Sequence, residues 1–197
     1  MTKYIAVIDE SGKQTLEYVC LIVGDHDSIS KNLKNISHKF THMNKIPENE
    51  KRPLLDKFDF TGKILVCCMK LFLIDLRVEI DKYVDKKKCR KNKRDLNQVI
   101  GIELRSILQT VILNNNDIRD CEIDKLTFQV DNDTLRDYLK ASGLKTEPPK
   151  DAHKLADCVA HANFKRWKLD SVVELVDEKF KTDFHEIVMD GIRRFVK

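Results

Sequence analysis

The chain has 197 residues, of which 42% are hydrophobic and 35% charged, so it can bury a core and is too apolar for an intrinsically disordered protein. Its formal net charge is +4, from 36 Lys and Arg against 32 Asp and Glu. Seven of the cations lie in one run, residues 86–94 (KKKCRKNKR), and removing them leaves a net charge of −3 for the rest of the chain. The basic character is therefore local, and a uniformly positive surface is excluded.

Membrane and secretory classes are disfavoured by the same sequence. The longest apolar stretch, residues 64–76, contains Lys70 and Asp75 and is shorter than the roughly 20 residues of a membrane span. The N-terminal sequence MTKYIAVIDESG lacks the apolar region of a secretory signal. The six cysteines form no CxxC pair and no Cys/His spacing typical of zinc sites, so we expect small core residues in a reducing compartment. We therefore expect a cytoplasmic protein without a membrane partner.

The first half of the chain predicts a hairpin of two strands followed by a helix and further buried strands. Aliphatic and β-branched runs indicate the strands, and two prolines indicate the connection after the helix. In order, we expect strands over residues 4–8 and 18–23, a helix from a cap at Asp27 or Ser28 to about Met43, a connection over 44–58, and one or two buried strands over 63–83.

The second half of the chain is richer in helical patterns. In order, we expect a helix over residues 96–113, a strand over 126–130, a helix over 134–141, a helix over 151–168, and one or two helices over 171–195. A hairpin followed by mixed strands and helices favours an α/β domain with a mixed sheet over a purely parallel one. We expect one domain over 1–168 and a C-terminal helical extension, 169–197, packed on it.

Two of the predicted strands end in carboxylates. Asp9 and Glu10 follow the first strand, and Asp131 and Asp133 follow the late one. Mg²⁺ prefers oxygen ligands and keeps several waters, so two such strand ends side by side would make a metal site. Acidic residues at these places are also common in turns and caps, and Asp133 could simply cap the next helix.

Two further carboxylates lie on predicted helices. Asp157 is on an alanine-rich helix thin enough to pack closely on a sheet, and His153 and His161, four residues to either side, share its face. Either histidine could transfer protons near neutral pH. Glu103 falls in the apolar sector of its helix, where an unpaired carboxylate is costly, so a metal, a cation or an exposed pocket should accompany it. A solvated helix face is the alternative for Asp157, and an edge position reaching water is the alternative for Glu103.

These motifs, in this order, resemble a known family. A strand ending in Ile8-Asp9-Glu10-Ser11-Gly12, a hairpin partner, a late strand ending in Val130-Asp131 and a helix with Leu155-Ala156-Asp157 resemble the domain of unknown function 3800 family, whose members look like ribonuclease H-fold proteins. The opening Asp-Glu is also similar to that of type 2 ribonuclease H, although Lys13-Gln14 stands in place of the Gly-Arg-Gly extension. The likeness spans about residues 4–167 and implies a ribonuclease H-like mixed sheet flanked by helices.

The resemblance also implies a metal-dependent phosphodiesterase that uses Mg²⁺ or Mn²⁺. Asp9 would bridge two cations, and either Glu10 or Glu103 would complete the shell. The substrate would be RNA, an RNA/DNA hybrid or structured DNA. The alternative is a non-catalytic nucleic-acid-binding or assembly module on the same fold. The metal ligands implied by the resemblance are Asp9, Glu10, Asp131 and Asp157, and Glu103 and His161 are the further candidate catalytic residues.

The basic run is the candidate nucleic-acid contact. Its cations would bind phosphates through a salt-sensitive interaction that does not depend on sequence. On a nuclease it would form a substrate-contacting loop, but a solvated loop, a helix start or a nuclear import signal would have the same composition. With only Tyr83 nearby, recognition by stacked bases is not indicated. The residues concerned are Lys86, Lys87, Lys88, Arg90, Lys91, Lys93 and Arg94.

Overall fold

A computed structural model describes residues 2–11, 18–36, 40–70 and 89–175. These residues form one mixed sheet with helices on both faces. The strands are β1 (Tyr4–Ser11), β2 (Tyr18–Asp25), β3 (Ile64–Lys70), β4 (Thr127–Val130), β5 (Lys145–Glu147) and β6 (Val173–Leu175). The helices are α1 (His26–Leu33), α2 (Glu48–Leu55), α3 (Cys89–Leu113), α4 (Asp133–Ala141) and α5 (His153–Phe164), with 3₁₀ turns at Met43–Lys45 and Ile123–Lys125.

The sheet is mixed, with β1 near its centre. The strand order is β5-β4-β1-β2-β3-β6. The predicted hairpin is confirmed, because β1 and β2 pair antiparallel, and β3 pairs antiparallel with β2. Parallel pairing joins β4 to β1, β5 to β4 and β6 to β3. The predicted α/β domain with a mixed sheet is therefore confirmed at this level.

Alternate side chains of β1 belong to two different hydrophobic layers. Ala6 and Ile8 pack in the layer that contains α3 and α4, whereas Val7 packs in the layer that contains α1, α2 and α5. Successive side chains of a strand point to opposite faces, so a strand covered on both faces is apolar throughout. This burial explains why residues 4–8 read as a continuous aliphatic run. Within the described ranges, no helix combines the length and the apolar character that crossing a membrane requires.

The helix after β2 differs from the prediction. α1 ends at Leu33 rather than near Met43, because the next amides turn back to carbonyls three residues earlier, Asn35 to Asn32 and Ile36 to Leu33. Its cap is Asp25, whose side chain accepts the Ser28 N–H at 2.8 Å, and neither Asp27 nor Ser28 caps it.

The expected connection over residues 44–58 instead contains α2, so that prediction is wrong. Pro47 stands at the N-cap, and Pro53 lies near the end of the helix, where one missing N–H removes a single backbone bond from a short element. Asn132 rather than Asp133 caps α4.

The boundaries of the later elements also differ. α3 begins at Cys89, seven residues before the predicted start, so the second half of the basic run lies on its first turns. β5 and β6 were not predicted, since three residues give too short a pattern. β6 falls within the predicted helices over 171–195, and the rest of that prediction from residue 176 onward, like residues 71–88, lies outside the described residues.

Candidate functional site

The two acidic strand ends lie side by side. β1 and β4 run parallel, with Ile8 opposite Val130, so Asp9 lies beside Asp131, the first residue after β4. β1 itself continues to Ser11, three residues beyond the predicted end, and Asp9 is still paired with Cys20 of β2. Asp9 is buried, with 8% of its surface exposed, whereas Asp131 is exposed. The predicted juxtaposition of these strand ends is therefore confirmed, and Asp9 is its interior member.

Asp9 faces the helix α5. It lies two residues after Val7 and so shares the face of the sheet that α5 covers. On that face the His153 Nε2 atom is 3.6 Å from Asp9 Oδ1, and the same oxygen accepts the Glu10 backbone N–H at 3.0 Å. The structure thus brings the first histidine of the predicted α5 face to the end of β1.

Asp157 is also buried, one turn of α5 beyond His153. Its Oδ2 accepts the Met43 backbone N–H at 2.6 Å, and its Oδ1 lies 3.3 Å from His42 Nε2. The alternative of a solvated helix face is therefore wrong for this residue. His42 was not predicted as a site residue, because more than a hundred residues separate it from Asp157 and no local pattern marks the contact.

Glu10 occupies the opposite face of the sheet from Asp9. Its Oε1 accepts the Asn132 side-chain N–H at 2.8 Å, while Asn132 caps α4 through the Leu135 N–H at 2.9 Å. The other carboxylate oxygen, Oε2, is buried and has no hydrogen-bond partner among the described residues. Glu10 is therefore held against the start of α4, on the other side of β1 from Asp157.

The carboxylates strongly perturb one another. Burial, then the charges of Glu10 and Asp157, raise the pKa of Asp9 to about 8. Burial also raises the pKa of Glu10, against the hydrogen bond from Asn132, which lowers it. Across the described part of the chain, no Lys or Arg forms an ion pair with Asp9 or Asp157, and the side chains beside their carboxylates are His153 and His42. No described Lys or Arg therefore neutralises these two carboxylates.

His153 presents its Nε2 atom to Asp9. Burial lowers the pKa of His153, and the charges of Asp131 and Asp157 only partly oppose this effect. The Nε2 atom is buried and has no hydrogen-bond partner among the described residues. Asp9 Oδ1 and His153 Nε2, two atoms that can each donate an electron pair, thus face each other, and a proton or a cation between them would be bound by both.

The donor set fits a divalent cation in charge and chemistry. Carboxylate oxygens suit Mg²⁺ and Mn²⁺, and imidazole is a common ligand of transition metals. Neighbouring ligands of an octahedral ion with bonds of about 2.1 Å lie about 3 Å apart, close to the 3.6 Å between Asp9 Oδ1 and His153 Nε2. Among the described residues, however, no three His, Cys, Asp or Glu side chains converge closely enough to hold a metal.

Two predicted catalytic residues lie away from Asp9. Glu103 is half-buried on α3, which packs in the layer opposite α5, and the described contacts do not join it to Asp9 or Asp157. His161 packs edge-on against Trp167, with 6.0 Å between ring centroids, and burial followed by two nearby lysines lowers its pKa. The structure therefore places His153, rather than His161, beside Asp9.

The basic run is described only in part. Lys86, Lys87 and Lys88 lie outside the described residues. Backbone positions on the first turns of α3 are occupied by Arg90, Lys91, Lys93 and Arg94. Of the open alternatives for these four positions, the helix start agrees with the structure and the loop does not.

Three cysteines lie next to Asp9 and Asp157 in the sheet and in α5. Cys20 stands opposite Asp9 on β2, Cys68 follows on β3, and Cys158 neighbours Asp157 on α5. The hydrogen bond to Cys68, and then burial, raise the pKa of the Cys20 thiol, and burial raises that of Cys158. All three are buried core residues, which confirms the predicted core position for these cysteines and for Cys67 and Cys121, also buried.

Comparisons of the chain with protein-family models, with curated proteins and with solved structures found no match. The resemblance to the domain of unknown function 3800 family therefore stays a prediction. What the site can do follows from the contacts of Asp9, His153, Asp157 and their neighbours.

Proposed function

We propose that the chain is a divalent-metal-dependent nuclease that hydrolyses phosphodiester bonds in RNA, RNA/DNA hybrid or structured DNA. The observation that supports this most is the pair formed by Asp9 and His153. A buried carboxylate and a buried imidazole nitrogen without a hydrogen-bond partner face each other near the end of β1, with Asp157 on the same helix as His153. A divalent cation between these two atoms would be bound by both of them.

The arrangement of elements supports a ribonuclease H-like architecture for this proposal. The four motifs that carry the resemblance are adjacent in space: β2 flanks β1 on one side, β4 flanks it on the other, and α5 lies across β1. The resemblance implies a mixed sheet flanked by helices, and the observed sheet is of that kind.

The residues around Asp9 have distinct roles in the proposed site. Asp9, His153 and Asp157 would hold the cation, and Asp131 at the exposed rim would add a carboxylate oxygen. Mg²⁺ or Mn²⁺, when bound, activates water and stabilises the leaving oxygen of a phosphodiester. In this scheme His153 is a ligand, whereas the sequence analysis offered either His153 or His161 as a proton carrier. Glu10 keeps Asn132 and the start of α4 in place beside Asp9.

The test is cleavage of a labelled panel of RNA, hybrid and DNA with Mg²⁺ or Mn²⁺. We expect Asp9→Asn to lose turnover, because it replaces an anionic ligand by a neutral amide with little change in shape. Asp137→Asn is the matched control, since Asp137 is exposed on α4. Cleavage that survives Asp9→Asn would overturn the proposed mechanism.

A second candidate is a non-catalytic nucleic-acid-binding or assembly module on the same fold. The absence of a convergent group of three ligands among the described residues favours it. It predicts salt-dependent binding of nucleic acid without turnover, and no thermal shift on adding Mn²⁺. Calorimetry that finds no binding of Mn²⁺ at millimolar concentration would select this candidate over the nuclease.

A further inference from the structure

A short segment that packs against α5 contacts the Asp157 carboxylate. The segment is the pair His42 and Met43, where the 3₁₀ turn Met43–Lys45 begins. Met43 donates its backbone N–H to Asp157 Oδ2 at 2.6 Å, and His42 Nε2 lies 3.3 Å from Oδ1. The Met43 side chain is fully buried, which anchors the backbone donor, while the His42 side chain is half-exposed.

The ring of His42 presents its Nε2 atom to Asp157. Its Nδ1 accepts the Asn44 backbone N–H at 3.1 Å, so Nδ1 carries the lone pair of the neutral ring. The ring proton of that tautomer is on Nε2, the atom that faces Asp157 Oδ1. One backbone bond therefore sets both the tautomer of His42 and the direction of its N–H.

We propose that His42 is a positioning residue of the candidate metal site, orienting Asp157 so that the carboxylate can bind the cation. Hydrogen bonds to a ligating carboxylate fix its orientation, and their loss weakens metal binding by about 10- to 100-fold. The inference rests on the proposed function, because the orientation of Asp157 matters to a ligand only if the site binds one. Since Met43 contributes a backbone group, His42 is the side chain by which the contact can be tested.

Two substitutions separate this role from the capping role of His42. His42 is also the N-cap of the 3₁₀ turn, through the Asn44 bond. Asparagine is a good N-cap but is too short to reach Asp157, whereas glutamine can place an N–H near the position of Nε2. His42→Asn therefore removes the contact with Asp157 and keeps the cap, and His42→Gln retains a donor.

The experiment is titration of the full chain with Mn²⁺ by calorimetry at one pH. We expect His42→Asn to raise the Kd for Mn²⁺ about 10-fold and His42→Gln to stay within about threefold of wild type. His26→Ala, at an exposed histidine on α1, is the control and should leave the Kd unchanged. Melting temperatures without Mn²⁺ should agree among the variants, because His42 is half-exposed.

The outcomes distinguish this inference from the proposed function. If wild type binds Mn²⁺, Asp9→Asn does not, and His42→Asn binds as wild type, the positioning role is wrong and the metal site stands. A His42→Gln variant as weak as His42→Asn also overturns the positioning role, since a donor that reaches Asp157 should rescue binding. If wild type itself does not bind Mn²⁺, the proposed function and the inference both fail.

Discussion

Replacing Asp9 with Asn should stabilise the fold at neutral pH while abolishing cation binding. Burial, with the charges of Glu10 and Asp157, raises the pKa of Asp9 to about 8 from its ordinary 3.8. Because the folded-state pKa is the higher one, the folded chain keeps a proton that the unfolded chain releases. The stability from this proton is fully present below pH 3.8 and is lost as the pH rises through 8. Asparagine does not titrate, so the variant should not lose stability over this pH range.

The size of the effect follows from the interval between the two pKa values. Each pH unit within that interval lowers the free energy of unfolding by about 1.4 kcal/mol, so the loss between pH 4 and pH 7 is about 4 kcal/mol. Solvent screening reduces this free energy only slightly, because Asp9 is 8% exposed. For a chain of this length, 1 kcal/mol corresponds to about 2–4 °C in melting temperature. The variant should therefore melt about 8–16 °C above wild type at pH 7, and close to it at pH 4.

The assay is thermal unfolding from pH 4 to pH 8, with and without millimolar Mn²⁺. Ligand binding to the folded state should raise the melting temperature of wild type and leave that of Asp9→Asn unchanged. Asp137→Asn, an exposed substitution of the same chemistry, should follow wild type at every pH. A variant that is less stable than wild type at pH 7, or a difference that does not grow with pH, would refute the reasoning about Asp9.

Three further changes test other parts of the structure. Asn132→Ala removes the cap of α4 and the contact with Glu10, so urea unfolding should show that the free energy of unfolding falls by about 1–2 kcal/mol. A decrease below about 0.5 kcal/mol, the size expected of a neutral surface change, would contradict the capping role. Gly101→Ala would bring a Cβ into the Tyr138 carbonyl, where α3 packs on α4, and should cost about 3 kcal/mol in the same assay, against little change for the exposed Ser106→Ala. Neutralising four cations of the basic run should weaken nucleic-acid binding and reduce the slope of log K against log salt concentration by up to about 4. An unchanged slope would indicate that the run is a solvated segment. The four residues are Lys86, Lys87, Lys88 and Arg90.

Local patterns predicted the centre of the sheet and one half of the site. The hairpin and the strand before Asp131 follow from aliphatic runs bounded by acidic turns, and the parallel register then places Asp131 beside Asp9. The spacing of His153 and Asp157 on one helix face follows from helical geometry alone. These features depend on residues close in sequence, so a single sequence contains the information.

The remainder of the site depends on contacts between distant segments. His42 contacts Asp157 because the segment that contains His42 packs against α5. The apolar spacing of α1 did not predict that this helix ends at Leu33. Glu10 was grouped with Asp9 because they are neighbours, although alternation along a strand sends them to opposite faces. α2 was missed because its two prolines were interpreted as turn residues, while both occupy places that a short helix tolerates.

Asp9 and Glu10 divide between the two helical layers, and this has a mechanical consequence. Asp9 touches α5, Glu10 touches the cap of α4, and the Glu10 N–H donates to the Asp9 carboxylate at 3.0 Å. A shift of α4 relative to the sheet therefore reaches Asp9 across a single peptide unit, without passing through the hydrophobic core. The dipeptide Asp9-Glu10 therefore joins polar groups of the two layers, which pack on opposite sides of the sheet.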